Sequence, residues 1–262
     1  MGEARNKKKQ FLAAHPFCCF CGGSEPATTV DHIPARTCFA ERAGPEGFEF
    51  PACEQCQAAS RLDELAFGML VRVFDPSDSN YRREEVIMAY QGVRNNLPHL
   101  MPFTGISNSD KRRALRAKGL QKPVNMLVKD IPMVGVPKDI DAYVHRYTRK
   151  MAAALYYREK GKPIGQDFVI WTHWAQAIDK LQMGSLLEVA KMSPFVTVGE
   201  RSNLKFGDRF GYRYDKSDEN DLFTAVAQFG QGLVVAMLIA DGESAKELDG
   251  EEGWVKASAM FD

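Results

Sequence analysis

The chain has 262 residues, 45% of them hydrophobic, and its 34 Lys and Arg balance its 34 Asp and Glu, so the formal net charge is zero. That length suffices for a buried core, which excludes a small domain stapled only by disulfides. Balanced charge means that any polyanion partner must be met by a local patch rather than by bulk charge.

Residues 3–14 read as a short helix ended by His15-Pro16. Its run Arg5, Lys7, Lys8, Lys9 is one such local patch, suited to phosphate contact or simply to solvation. A cysteine-rich stretch with Gly22-Gly23 follows, then a turn at 24–26 and the β-branched run Thr28-Thr29-Val30, which enters a strand ending near Asp31-His32. Pro34 stops that strand. A loop from Ala35 to Glu49 leads to a short second strand at 48–50. A single helix is expected over 53–73, because Leu62, Leu65, Ala66, Met69, Leu70 and Val73 recur at helical spacing.

Helices are expected again at 80–97, 109–119 and 139–159. The second carries Lys111, Arg112, Arg113, Arg116 and Lys118, and the third ends at Gly161-Lys162-Pro163. Val124, Met126, Val128, Ile131 and Val134 suggest extended segments between 123 and 137. Strands are expected at 168–171, 195–198, 206–214, 224–229 and 232–239, with a polar turn at 215–221. The run from Gly232 to Ala240 is too short to span a membrane, and no stretch approaches ~18 consecutive apolar residues. The first residues carry no apolar leader, so a soluble, cytoplasmic chain with no membrane partner is expected.

All six cysteines lie in the first 56 residues. Cys18 and Cys21 form one CxxC pair, and Cys53 and Cys56 a second. Two such pairs supply the four thiolates that zinc takes tetrahedrally, and a reducing compartment favours metal over disulfides. Cys19 competes with Cys18 for the same place, whereas Cys38, alone in the loop, reads as a buried inert thiol. Between the pairs, Asp31 offers a ligand for a hard cation and His32 a general base.

The strings Cys18-Cys19-Phe20-Cys21-Gly22-Gly23, Val30-Asp31-His32-Ile33-Pro34-Ala35-Arg36 and Cys53-Glu54-Gln55-Cys56 resemble the HNH endonucleases with two zinc knuckles, a branch of the ββα-metal nucleases. The resemblance implies an α+β fold: an N-terminal zinc-stabilised ββα-metal module over residues 1–75, followed by a mixed helix and antiparallel-strand domain over 76–262. It also implies a structural Zn2+ on Cys18, Cys21, Cys53 and Cys56. In that family the residue matching His32 activates water and the one matching Asp31 holds Mg2+ or another divalent cation, with DNA as the substrate.

The usual second cation ligand falls on Gln57, and the middle Asn of the motif has only Glu46 or Glu49 near its place. Gln57, Ser60, Arg61 and Glu64 share one helix face by spacing, so Glu64 or a water is a second choice if that face meets Asp31. Arg36 and Arg61 are the candidate phosphate clamps, and Asp63 could lock either. Trp171 and Trp174 flank His173 and read more as core than as a base-stacking site. A homo-oligomer is compatible with this reading, and a non-catalytic zinc-finger nucleic-acid-binding or adaptor protein is the alternative to the enzyme.

Overall fold

The computed structural model describes residues 2–39, 42, 44–75, 83–176, 179, 197–198, 209–215 and 222–262. The expected strand starts at Phe195 and Phe206, and the polar turn after Asp215, lie outside them.

Helix α1 (Gly2–Ala14) precedes a hairpin of β1 (Thr29–His32) and β2 (Glu49–Ala52), antiparallel with Asp31 opposite Phe50 and His32 opposite Glu49. The loop between them holds a cis Ile33–Pro34 peptide and a short 3-10 turn at Arg36–Cys38. The single helix expected over 53–73 is two: α2 (Glu54–Ala59) and α3 (Arg61–Phe74). Ser60 divides them. Its backbone leaves regular helical values at φ −92°, ψ −1°, and its hydroxyl turns inward to a buried ammonium described below.

α4 (Arg83–Asn96), α5 (Asn108–Ala117) and α6 (Ile140–Lys160) follow. No strand forms between 123 and 137. That stretch holds a 3-10 turn at Val128–Asp130 and one bridge from Phe103 to Gly135. The rest of the chain builds an antiparallel sheet of β3 (Val169–Gln176), β4 (Thr197–Val198), β5 (Phe210–Asp215), β6 (Leu222–Phe229), β7 (Leu233–Ala240) and β8 (Trp254–Lys256). Its order is β4-β5-β6-β7-β3-β8. β8 and α7 (Gly242–Leu248), which lies between β7 and β8, carry too few periodic residues to announce themselves in the sequence.

α6 is the pivot. Val144, Tyr147, Met151 and Leu155 are fully buried at helical spacing, and the helix packs on α3 on one side and on β3 and β7 on the other. Phe67 of α3 meets Tyr147 at 4.6 Å and Phe229 at 5.0 Å between ring centroids. Phe48, beside the hairpin, meets Phe210 edge-on at 5.5 Å. One buried cluster therefore runs from Cys18 to Met260, and the orientation of the hairpin is fixed by α6 as well as by its own short ladder. No described helix is long and apolar enough to cross a membrane.

Candidate functional site

The first knuckle is shaped by backbone donors and two glycines. The Phe20 amide donates to Cys18 Sγ at 3.4 Å, and the Gly23 amide returns to the Cys18 carbonyl at 3.1 Å. That return needs φ of +68° at Gly22 and +75° at Gly23, values that disfavour any side chain. The second knuckle follows β2 directly. Cys53 caps α2, accepting the Cys56 amide on its sulfur at 3.4 Å, so Cys56 follows one helical turn later.

The two pairs converge. The sulfurs of Cys18, Cys21, Cys53 and Cys56 all lie within 4.8 Å of one another. Thiolates held on one tetrahedral zinc at ~2.3 Å stand ~3.8 Å apart, so the donor set fits that ion. The Cys18–Cys21 register is thus the one whose sulfurs meet the second pair. A hydrogen bond from the Cys56 thiol pulls Cys18 down to about 5, and the same contact pushes Cys56 up. A divalent cation held by Cys18, Cys21, Cys53 and Cys56 would relieve this competition by taking all four sulfurs as thiolates. Cys19 is buried, and burial raises its thiol well above the ordinary range. Cys38 is pushed up to about 12, also by burial. Both are inert thiols in this setting.

Strand alternation separates the two residues between the knuckles. Asp31 points inward and is buried, while His32 lies on the opposite, half-buried face. Asp31 Oδ1 accepts the His32 amide at 2.8 Å, and Oδ2 accepts Lys150 Nζ at 2.5 Å. Lys150 is 0% exposed. Its ammonium also donates to the Ser60 hydroxyl and, at 3.0 Å, to Glu64 Oε1. It sits 5.1 Å from the centroid of the Phe20 ring. Burial is the largest influence on this ammonium and disfavours its charge, yet the Asp31 and Glu64 carboxylates outweigh it and leave Lys150 above its ordinary value. Glu64 is raised by burial, with Lys150 opposing in part.

The helix face predicted from spacing does meet β1. Gln57 Oε1 accepts the Thr29 hydroxyl at 3.1 Å, and Ser60 donates to Glu64 at 2.8 Å beside Lys150. Asp63 locks neither Arg61 nor Arg36. It lies on the other side of α3, where Arg146 Nε of α6 donates to its Oδ1 at 3.0 Å and a terminal guanidinium nitrogen of Arg146 forms an ion pair with the same oxygen at 3.0 Å. Arg61 is exposed at the start of α3, and no hydrogen bond or ion pair among the described residues ties it to His32 or Arg36.

His32 keeps a partner of its own. Its Nε2 is 2.8 Å from a terminal guanidinium nitrogen of Arg36. A guanidinium only donates, so Nε2 is the acceptor and the ring proton sits on Nδ1. Burial first, and the Arg36 charge second, hold His32 below its usual value. The imidazole is therefore a neutral base at pH 7.

The turn carrying Arg36 is braced from two helices. The Ala35 amide donates to the Tyr147 hydroxyl at 2.6 Å, and Arg72 of α3 binds the carbonyls of Thr37 and Gly68. Gly68 permits this approach, because a Cβ there would stand 2.8 Å from Thr37 Oγ1. Glu49, opposite His32, lines a cleft of about 600 Å³ together with His15, Phe17, Tyr157 and Arg158.

The residues expected to hold a catalytic cation do not fit one here. Asp31 spends one oxygen on a neighbouring amide and the other on a buried ammonium, and the Gln57 carbonyl is taken by Thr29. Lys150 is the residue that sequence reading missed, 119 positions from Asp31. Its one signal was a charged residue on the apolar stripe Val144, Tyr147, Met151. No protein-family description, curated protein or solved structure matches the chain.

Proposed function

We propose that the chain is an HNH-type endonuclease that hydrolyses phosphodiester bonds in DNA, with His32 as the general base and Arg36 as the phosphate clamp. One observation carries this reading: the zinc-compatible cluster brackets a hairpin whose His32 is neutral, half-buried and hydrogen-bonded to an exposed arginine. A phosphate that recruits the Arg36 guanidinium frees Nε2. Nε2 then takes a proton from water as its oxygen attacks phosphorus, the bond to the leaving 3′-oxygen breaks, and that oxygen takes a proton from solvent. Arg36 stabilises the charge on the non-bridging oxygens.

His32→Ala is expected to abolish nicking of supercoiled DNA while zinc content, measured by atomic absorption, stays unchanged. The wild-type rate should fall on the acid side only below pH 6.5, because protonation of a lowered histidine removes the base. Undiminished nicking by His32→Ala rejects the assignment.

Support for a polyanionic partner comes from residues 102–138. They hold eight basic residues against two acidic ones, a net +6 in a chain of net zero. α5 buries none of its residues. Arg112, Arg113 and Arg116 are exposed on it, and among the described residues only Arg113 has an acidic partner, Asp110 at 2.6 Å. Replacing the three arginines by Gln is expected to weaken duplex DNA binding at least tenfold in about 0.1 M salt. It should also flatten the salt dependence by roughly one logarithmic unit per lost phosphate contact. Fluorescence anisotropy of a labelled duplex measures both, and an unchanged slope argues against this surface.

A second reading, a non-catalytic DNA-binding protein, is favoured by the ammonium on Asp31. Duplex binding without cleavage in Mg2+, Mn2+, Ni2+ or Zn2+ would select it.

A further inference from the structure

We infer that Lys150 is the resident cation of the Asp31, Ser60 and Glu64 pocket and closes it to divalent metal. The inference rests on the nuclease reading only in taking Asp31 as the expected cation ligand.

A hard divalent cation needs several oxygens at about 2.0–2.6 Å and neutralises carboxylates placed around it. In this chain those oxygens already surround a positive charge. Asp31 Oδ2 is 2.5 Å and Glu64 Oε1 3.0 Å from Nζ, and the Ser60 hydroxyl is a third partner. An ammonium has three protons and accepts no bond, so these three oxygens use its full donor capacity.

The seat is also built. Lys150 is fully enclosed, Phe20 faces its charge, and the residues that follow it on α6, Met151, Ala152, Ala153 and Ala154, are fully buried. Withdrawing the ammonium to admit a metal would leave its charge buried without a partner, the costly arrangement for any ion. Asp31 accordingly acts on His32 through the backbone, its Oδ1 holding the His32 amide at 2.8 Å. Lys150 is a positioning residue that fixes the other carboxylate oxygen.

The test is Mn2+ binding to zinc-loaded full-length protein, read from the electron paramagnetic resonance signal of free Mn2+, with zinc content checked afterwards. Wild-type protein is expected to leave the free signal undiminished up to about 1 mM Mn2+. Lys150→Met keeps the length of the side chain and removes its charge. It is expected to gain one Mn2+ per chain, at least tenfold tighter than any wild-type binding. One Mn2+ bound per wild-type chain and lost in Asp31→Asn overturns the inference, as does a folded Lys150→Met that gains no site. If Lys150→Met does not fold, the wild-type titration decides alone. Cleavage is not the readout, so a wild-type chain that neither cuts DNA nor binds Mn2+ supports the closed pocket while removing the nuclease reading.

Discussion

Chelation of an ion loaded on the four-cysteine cluster is expected to unfold the N-terminal half of the chain, a loss larger than any single side-chain change would cause. Cys18 and Cys21 lie ahead of β1, and Cys53 and Cys56 follow β2, so the four sulfurs clamp both ends of a hairpin with only four residues per strand. A two-stranded ladder of that size is marginal by itself in water. Structural zinc supplies on the order of 10 kcal/mol of apparent binding energy at neutral pH, which in such sites is folding energy. Without the ion, Cys18 and Cys56 compete for one proton, and burial raises the Cys21 thiol. Hydrogen exchange of the zinc-loaded protein before and after chelation measures the effect. Amides of 18–56 should lose protection first, followed by those of α3, because Phe20, Phe39 and Phe67 belong to one buried cluster. Full retention of protection after verified metal loss would refute a structural ion.

Removing the Lys150 charge carries the second large effect. Lys150→Met leaves Asp31 and Glu64 facing each other with no counter-charge, and breaking a buried pair from one side costs about 3–5 kcal/mol. The size follows from enclosure: the lysine is 0% exposed and the Asp31 side chain 7%, so water cannot replace the lost partner. The charge-compensated Asp31→Asn, Lys150→Met double variant should recover part of that loss, because an uncharged pair of similar volume avoids the desolvation term. Urea midpoints of the two variants against wild type provide the measurement. A single variant within about 1 kcal/mol of wild type would show that the ammonium is solvated or replaced.

Much of the fold and part of the site are legible along the chain. Helix α6 and strand β7 emerge because each is written in a local pattern, a helical stripe in one and a continuous apolar run in the other. The four-cysteine cluster emerges because CxxC spacing is itself local geometry, and the glycines after Cys21 mark the turn. The break at Ser60 is not legible. Leu62, Leu65 and Met69 keep helical phase, and what turns the Ser60 hydroxyl inward is an ammonium from a helix 90 positions later.

Local pattern along the chain sets two CxxC pairs, a strand ending at Asp31-His32, and a helical stretch after Cys53 that carries Gln57 and Glu64 on either side of Ser60. Tertiary structure alone decided what those groups face. Asp31 meets Lys150 rather than an open ligand shell, Asp63 meets Arg146, and His32 meets Arg36. The physical reason is range. Periodicity and ligand spacing act over a few residues, whereas the partner of a buried charge is set by the packing of α6 against the hairpin and α3, which no short window of sequence contains.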